Sequence, residues 1–161
     1  MNGKEYLISR VANLHIGVYC RDVCNIFCKE IRITKMFYQN DLYIGVAKIN
    51  DHIVNIIDFE RRIGEPSRTY SGLTKENIIV FQTSVDQQLG LIVDQIIGLK
   101  MIEHEDIVKS SNNFNNHQEN IHLLFPDIAK TPDGKLIHLM DVTYLGNTEP
   151  VPEDSGDLEF F

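Results

Sequence analysis

The chain has 161 residues and a formal net charge of −8, and 43% of its residues are hydrophobic, close to the globular average, so extensive disorder is excluded. The negative charge argues against nucleic acid or an anionic membrane surface as partner, because both are bound through basic faces. No run of 18 apolar residues occurs and no apolar segment follows Met1, so the sequence predicts a cytoplasmic protein without membrane insertion.

The N-terminal segment predicts a β-hairpin followed by a short helix. The stretch 6–20 is rich in β-branched and aromatic residues and is interrupted near Asn13, where the hairpin is expected to turn. Asp22 precedes apolar residues at helical spacing, so we predict one or two helical turns over 23–27 with Asp22 as the N-cap.

Three further strands complete the first half. Residues 30–36 alternate between polar and apolar and predict a half-buried strand. Strands over 44–49 and 52–59 flank Asn50 and Asp51, two residues that tolerate the left-handed backbone of a tight hairpin. The polar stretch that follows, 60–75, reads as a connector between two halves.

The second half repeats this plan. Residues 77–83 and 88–93 predict a second hairpin, and 96–99 predict a second short helix. An Asn-rich segment at 110–117 has no periodicity and is predicted to be a mobile loop. The turn Pro132–Lys135 leads into a predicted strand over 136–142.

Two segments of the first half have counterparts in the second, in the same order. Residues 14–26 and 87–99 share an apolar residue, a glycine, an apolar run, a polar pair and a further apolar residue. Residues 53–59 are matched in the same way by 136–142. The repetition predicts two similar β-rich units with a groove between them that holds another protein.

The residue types of common reaction centres form no recognisable motif. Cys20, Cys24 and Cys28 lie at i, i+4 and i+8, but they lack the paired spacing of structural zinc sites, so we interpret them as small buried side chains. The six histidines are scattered; of these, His15 and His138 fall within predicted strands and are expected at the surface or in hydrogen bonds. The sequence therefore predicts no catalytic residues, no metal and no cofactor.

Two glycines stand at matching places in the repeat. Gly17 and Gly90 each precede an apolar run and belong to no phosphate-binding motif. We expect each to mark a β-bulge or a close approach of neighbouring groups.

The order of these motifs resembles that of CheW-like domains, the coupling proteins of bacterial and archaeal chemotaxis. Residues 45–59 resemble the signature G-V-x-N-L-R-G-x-x-x-P-V-x-D-L of that family. The apolar strand 78–81 followed by 90–96 resembles its G-x-x-V-D-x-V signature, and 134–142 resembles its closing strand. The resemblance extends over 6–145, nearly the whole chain.

This resemblance implies an all-β fold of two SH3-like five-stranded barrels packed side by side, with short helices. The domain is expected over 1–145, with halves over 14–75 and 76–145 and with the first strand, 6–12, available to both. An acidic tail, 146–161, is expected to follow it.

The resemblance also implies a non-enzymatic adaptor, which joins the cytoplasmic tip of a chemoreceptor to the regulatory domain of the histidine kinase CheA at membrane-associated receptor arrays. The receptor is expected in an apolar groove between the barrels, although the apolar residues concerned are equally suited to barrel core. The candidate groove residues are Val23, Asn25, Gly45, Ile49, Asn50, Ile78, Ile79, Gly90 and Ile96.

The chain departs from the family pattern at four positions. Asn50 and Asp51 replace the Arg-Gly of the tight turn, and Asn55 replaces the strand proline. The family often has a carboxylate where this chain has Asn25, so a hydrogen bond between Asn25 and Asn50 is predicted to replace an ion pair. We expect coupling to survive with an altered preference for receptor or kinase.

The acidic tail admits two interpretations. It is either a solubilising end or a linear motif in which Leu158, Phe160 and Phe161 dock into a hydrophobic pocket, flanked by acids that attract a basic partner. Two alternative functions also stay open at this point: a CheW-like module of another kinase array, such as one for pilus motility, and a metal- or small-molecule-binding β-barrel.

Overall fold

A computed structural model describes residues 3–36, 43–57, 59–62, 73–84, 87–109 and 121–145. In this part of the chain both α-helices are only four residues long, and the remaining regular structure is almost entirely β-strand. The predicted all-β class is confirmed. The connector is described only in part, and the predicted loop 110–117 and the tail 146–161 lie outside the described residues.

The strands are numbered in chain order. The two helices are α1 (Phe59–Arg62) and α2 (Ile121–Leu124). The strands are β1 (Gly3–Val11), β2 (Leu14–Tyr19), β3 (Val23–Phe27), β4 (Glu30–Arg32), β5 (Tyr43–Ile49), β6 (His52–Ile57), β7 (Leu73–Lys75), β8 (Asn77–Ser84), β9 (Gln87–Val93), β10 (Gln95–Glu103), β11 (Ile107–Lys109), β12 (Asp127–Lys130) and β13 (Leu136–Met140).

Two main sheets have matching strand arrangements. The first has the order β10-β1-β2-β13-β12-β11 and the second has the order β3-β8-β9-β6-β5, while β4 pairs with β7. One pair in each main sheet is parallel, β2 with β13 in the first and β9 with β6 in the second. The segments that repeat in the sequence therefore occupy equivalent places in the two sheets.

Each main sheet forms a barrel. In the first, β10 and β11 stand at opposite ends of the sheet, yet they are consecutive in the chain and are joined by a single 3-10 turn, His104–Asp106. Counted as one bent strand, they make this a five-stranded barrel. In the second sheet, β3 and β5 stand at opposite ends. The chain continues beyond β3 to Thr34, which forms a β-bridge with Val46 of β5.

The two barrels do not correspond to the two halves of the chain. The first takes strands from both ends of the sequence, whereas the second is built from residues between Val23 and Val93. A division at residue 75 therefore does not separate the sheets. The first strand lies within the first sheet, where it pairs with both β2 and β10.

The chain crosses between barrels at two points. It leaves the first barrel through a 3-10 turn, Cys20–Asp22, and returns to it at Asp94. The Asp94 backbone N–H donates to the Arg10 carbonyl (2.9 Å), and its carboxylate accepts from the Ala12 N–H (3.1 Å). These hydrogen bonds fix the return crossing to the first hairpin.

Both predicted short helices are wrong, because the segments are edge strands. Ile26 pairs with Ile79 of β8 and Leu99 pairs with Leu7 of β1. Helical spacing over four or five residues is a weak signal, and pairing with a neighbouring strand overrides it. Asp22 ends a 3-10 turn instead of capping a helix.

The predicted tight turns are confirmed by the backbone. Asn50 and Asp51 have φ values of 52° and 66°, as a two-residue hairpin turn of type I′ requires. The first hairpin turns in the same way at Ala12 and Asn13, with φ values of 51° and 67°.

The hydrophobic core has three parts. Six buried residues, including Tyr6, fill the first barrel. Nine buried residues, including Ile31, fill the second. The largest part is a seam cluster of sixteen buried residues that joins the two barrels. It contains Leu7, Val11, Ile16, Val18, Ile57, Phe59, Ile79, Phe81, Leu89, Leu91, Val93, Leu124, Phe125, Met140, Val142 and Leu145.

The seam cluster corrects the expectation of an open groove between the barrels. Leu7 and Ile16 from the first sheet and Phe81 and Leu91 from the second are at most 3% exposed. The chain's own side chains therefore fill the space between the barrels. Among the described residues, the seam therefore leaves no open groove between the barrels.

Candidate functional site

Several predicted groove residues are inaccessible to a partner. Ile49 and Ile78 lie in the core of the second barrel and Ile79 lies in the seam cluster, each at most 2% exposed. Gly45 and Gly90 are also buried. Because these residues are buried in the second barrel or in the seam cluster, they cannot contact a partner directly. They can affect a docking surface only by holding in place the strands that carry it.

The two repeated glycines mark close approaches. A Cβ atom on Gly90 would lie 2.9 Å from methyl carbons of both Ile56 and Ile78. At Gly17 it would lie 3.0 Å from a methyl carbon of Leu139. The strand pairing is regular at both glycines, so neither is a bulge, and side chains of neighbouring residues occupy the space.

Two predicted groove residues do reach the rim of the seam. Val23 on β3 and Ile96 on β10 are half-buried and pack against the seam cluster. They come from different sheets and hold equivalent places in the repeat. The structure thus brings Val23 and Ile96 to one hydrophobic cluster and leaves part of each accessible.

Sequence reasoning missed the exposed apolar residues of the edge strands. Ile26 pairs with the seam residue Ile79, and Leu99 pairs with the seam residue Leu7, so both point to the seam side of their sheets. Ile26 is 41% exposed, Leu99 63% and Met101 56%. The alternation of residue types along β10 is the sequence signal for these positions, and it conflicts with the short helix predicted over 96–99.

The predicted hydrogen bond between Asn25 and Asn50 is wrong. The Asn25 side-chain oxygen accepts a hydrogen bond from the backbone N–H of Ile26 (2.9 Å). Asn50 is exposed at the tip of the β5–β6 hairpin. The two amides therefore serve local backbone geometry rather than a contact with each other.

A polar cluster surrounds the crossing from the first barrel to the second. Lys4 and Arg21 lie over the ring of Tyr19, at 5.0 and 5.6 Å from its centroid. Burial raises the pKa of Asp22, and the nearby Asp141 carboxylate raises it further, while Arg21 and Lys4 act in the opposite direction. Asp22 ends the 3-10 turn and directly precedes Val23, so this cluster lies beside the start of the edge strand β3.

The cysteines do not match their interpretation as buried side chains. Cys24 and Cys28 are exposed and Cys20 is half-buried, and none forms a disulfide. Burial, followed by the charge of Glu5, raises the pKa of the Cys20 thiol. Among the residues that the structure describes, no three His, Cys, Asp or Glu side chains are placed to hold a metal ion.

His138 is buried rather than at the surface. It is 8% exposed, and its ring meets that of Phe125 edge-on at a centroid distance of 5.9 Å. Burial lowers the pKa of the imidazole because the charged form loses hydration. His15, on β2, is half-buried.

The predicted tail motif, Leu158, Phe160 and Phe161, lies outside the described residues. Within the part of the chain that is described, no helix has the length and apolar character needed to cross a membrane.

Comparison with known proteins agrees with this architecture. The family model of the CheW-like domain matches residues 5–149. The crystal structure of the scaffolding protein TtCheW from Thermoanaerobacter tengcongensis is similar, with a TM-score of 0.71 and 24% identity over 88% of this chain and 91% of that chain. No curated protein matches the chain. The structural likeness shows the shared fold, and the family model covers both barrels: the chain belongs to the CheW-like domain family.

Proposed function

We propose that this CheW-like scaffold couples a chemoreceptor to a CheA-type histidine kinase in chemotaxis and performs no reaction itself. It would act in the cytoplasm at membrane-associated receptor arrays, where it joins the receptor's cytoplasmic tip to the regulatory domain of the kinase. The observation that carries the proposal is the family match over 5–149, which spans both barrels. Nothing among the described residues favours an array for pilus motility.

A coupling protein needs two contact surfaces, and the fold offers two comparable ones. Each barrel has an edge strand with exposed apolar side chains on its seam side, Ile26 on β3 and Leu99 and Met101 on β10. Because the two barrels hold equivalent strands in these places, the surfaces are similar in construction but belong to different units. Burial of such side chains favours association through the hydrophobic effect.

The half-buried residues beside these surfaces would guide docking. Val23 and Ile96 rest on the seam cluster, which is fully packed, so their positions are held by the core. A rigid apolar rim loses little conformational entropy when a helical partner is bound. Ile49, Ile78, Ile79, Gly45 and Gly90 would act only by keeping the strands beneath this rim in place.

The roles of two strand-end carboxylates also fit an adaptor. The Asp94 carboxylate accepts from the Ala12 N–H at a crossing between barrels. The Asp141 carboxylate accepts from the backbone N–H and the hydroxyl of Thr143, at 3.1 and 2.6 Å. Both residues therefore have a structural task in turn formation.

Binding measurements with two separate partners test the proposal. Ile26→Asp and Met101→Asp place a charge on one edge strand each, and Ile53→Asp is the matched control, because Ile53 is 63% exposed on β6. The affinities for a receptor cytoplasmic fragment and for a CheA regulatory domain would be measured by calorimetry. We expect each edge variant to weaken binding of at least one partner about tenfold or more, with the control within about twofold of the parent.

The proposal fails if the parent chain binds neither partner. The assignment of the surfaces fails if both edge variants bind both partners as tightly as Ile53→Asp does.

A further inference from the structure

A solvent-open cavity of about 490 Å³ lies at one end of the first barrel. Its floor includes Ile8 and Ile137, which belong to the core of that barrel. Its walls include Ile97 and Leu99 of the edge strand and the turn 131–135. The cavity therefore joins a hydrophobic floor to the apolar edge strand β10, and none of its lining residues belongs to the seam cluster.

The cavity carries cationic groups that lack ion-pair partners. Lys100 and Lys135 line it, and neither forms a salt bridge within the described residues. The one acidic lining residue, Asp133, accepts a hydrogen bond from the Thr131 hydroxyl, which lowers the pKa of its carboxyl group. Asp133 stays charged and attracts Lys135, so the two ammonium groups and the one carboxylate leave the lining with a net positive charge that favours an acidic ligand.

We infer that this cavity is the docking site of the chain's own C-terminal segment, Asp157–Phe161. The segment reads Asp-Leu-Glu-Phe-Phe and alternates acidic with apolar residues before its final phenylalanine. In an extended conformation, Leu158 and Phe160 project to the same side. They would enter the apolar part of the cavity while Asp157 and Glu159 approach its lysines.

The length of the chain allows this contact. Strand β13 begins at the cavity, and Leu145 is the last described residue beyond it. Leu145 lies eight positions beyond Ile137 in the chain, which sets an upper limit of about 27 Å on the distance between them. From Leu145 to Phe160 the chain can reach about 50 Å, so Phe160 can return to the cavity with slack.

The tether compensates for the small size of the contact. Tethered by a link of this length, the segment would meet the cavity at an effective concentration in the millimolar range, so an intrinsically weak motif is bound in cis. Because Leu99 lines the cavity, the bound segment covers part of the β10 edge strand. Occupancy of the cavity does not require a receptor or a kinase, so it can be tested without them.

Nuclear magnetic resonance on the whole 161-residue chain provides the test. We expect nuclear Overhauser effects between the Phe160 ring and the methyl groups of Ile97 and Ile137. Phe160→Ala should shift the amide resonances of Ile97 and Lys100, while Val151→Ala, in the same terminal segment, should leave them unchanged.

Charge reversal supplies an independent readout. Lys100→Glu should abolish the Overhauser effects, and Lys29→Glu, at an exposed site in the second barrel, should preserve them. Combining Lys100→Glu with Glu159→Lys should restore them.

The proposal is overturned if the parent protein shows no contact between the terminal segment and the cavity. It is also overturned if a mixture of isotopically labelled and unlabelled protein shows that the contact is intermolecular, since the occupant would then be a second copy. Persistence of the Overhauser effects on dilution supports docking in cis.

Discussion

The backbone of Thr34 forms two hydrogen bonds with Val46, each 2.8 Å long. Thr34 follows β3 and β4 along the chain, and Val46 lies on β5 at the opposite end of the second sheet. The bridge therefore closes the second sheet into a barrel. Gly45 precedes Val46, and a Cβ atom on Gly45 would overlap the Thr34 carbonyl oxygen.

The first prediction is that Gly45→Ala opens this closure. The added methyl group meets backbone, which cannot move aside, so we expect the free energy of unfolding to fall by about 3 kcal/mol in urea denaturation. Gly17→Ala is the control, because its Cβ would meet only side-chain methyl groups at 3.0 Å or more and should cost about 1 kcal/mol. Equal losses in the two variants would contradict this account.

The second prediction concerns Phe125 in the seam cluster. Its ring is fully buried and meets the ring of Phe59 edge-on at 5.9 Å. Phe125→Ala should lower the free energy of unfolding by about 3–5 kcal/mol because it leaves a cavity at the junction of both barrels. Val108→Ala, at a site 59% exposed, should cost less than about 0.5 kcal/mol.

The same variant tests whether the barrels unfold together. Since the seam cluster contains residues of both sheets, the amide resonances of Ile16 and Leu91 should disappear at one denaturant midpoint in Phe125→Ala as in the parent. Separate midpoints in the parent would show that the seam does not couple the barrels.

The third prediction concerns Ser9, whose hydroxyl is fully buried without a hydrogen-bond partner. It lies opposite Ile16 and Ile96 in strand register, in apolar surroundings. Ser9→Ala should raise the free energy of unfolding by about 1 kcal/mol, because an unsatisfied buried hydroxyl is costly. A loss of about 1 kcal/mol on thermal or urea unfolding would instead reveal a buried water bound by that hydroxyl.

The fourth prediction concerns the turn at Asn50. Its φ of 52° is tolerated by Asn and Gly but costs other residues about 1 kcal/mol or more. Asn50→Gly should therefore preserve or raise stability, and Asn50→Arg should lower the urea-unfolding free energy by about 1 kcal/mol. Receptor binding by the Arg variant tests whether this exposed position selects the partner, and unchanged affinity would refute that role.

The fifth prediction is a pH dependence from His138. Because burial lowers the pKa of His138 below 6.5, the unfolded chain binds a proton at pH values where the folded chain does not. The contribution of His138 to the free energy of unfolding is therefore constant above pH about 7.5. It declines as the pH falls through 6.5, by at most about 1.4 kcal/mol per pH unit.

Urea denaturation between pH 5 and 8 checks this dependence. His138→Gln should flatten the pH profile relative to the parent, and His52→Gln, at an exposed position, should not. Parallel profiles for the parent and His138→Gln would rule out His138 as the source.

Much of the fold could be predicted because local patterns repeat along the chain. Alternation and turn residues located β1, β2, β8 and β9, and the Asn50–Asp51 pair identified a hairpin whose φ values are confirmed. The site was harder to predict. Ile49, Ile78 and Ile79 carry the same apolar character whether they face a barrel interior or a partner, and burial of their side chains assigns them to the core.

The sequence by itself determined the all-β class, the repeated unit and the membership of a known family, since these depend on periodicity, turn chemistry and motif order. Only the tertiary structure decided that 23–27 and 95–103 are edge strands, that the two barrels interleave along the chain and that the seam is closed. The physical reason is that pairing partners and burial are long-range properties. A strand becomes an edge, and an isoleucine becomes core, only through residues that are distant in the chain.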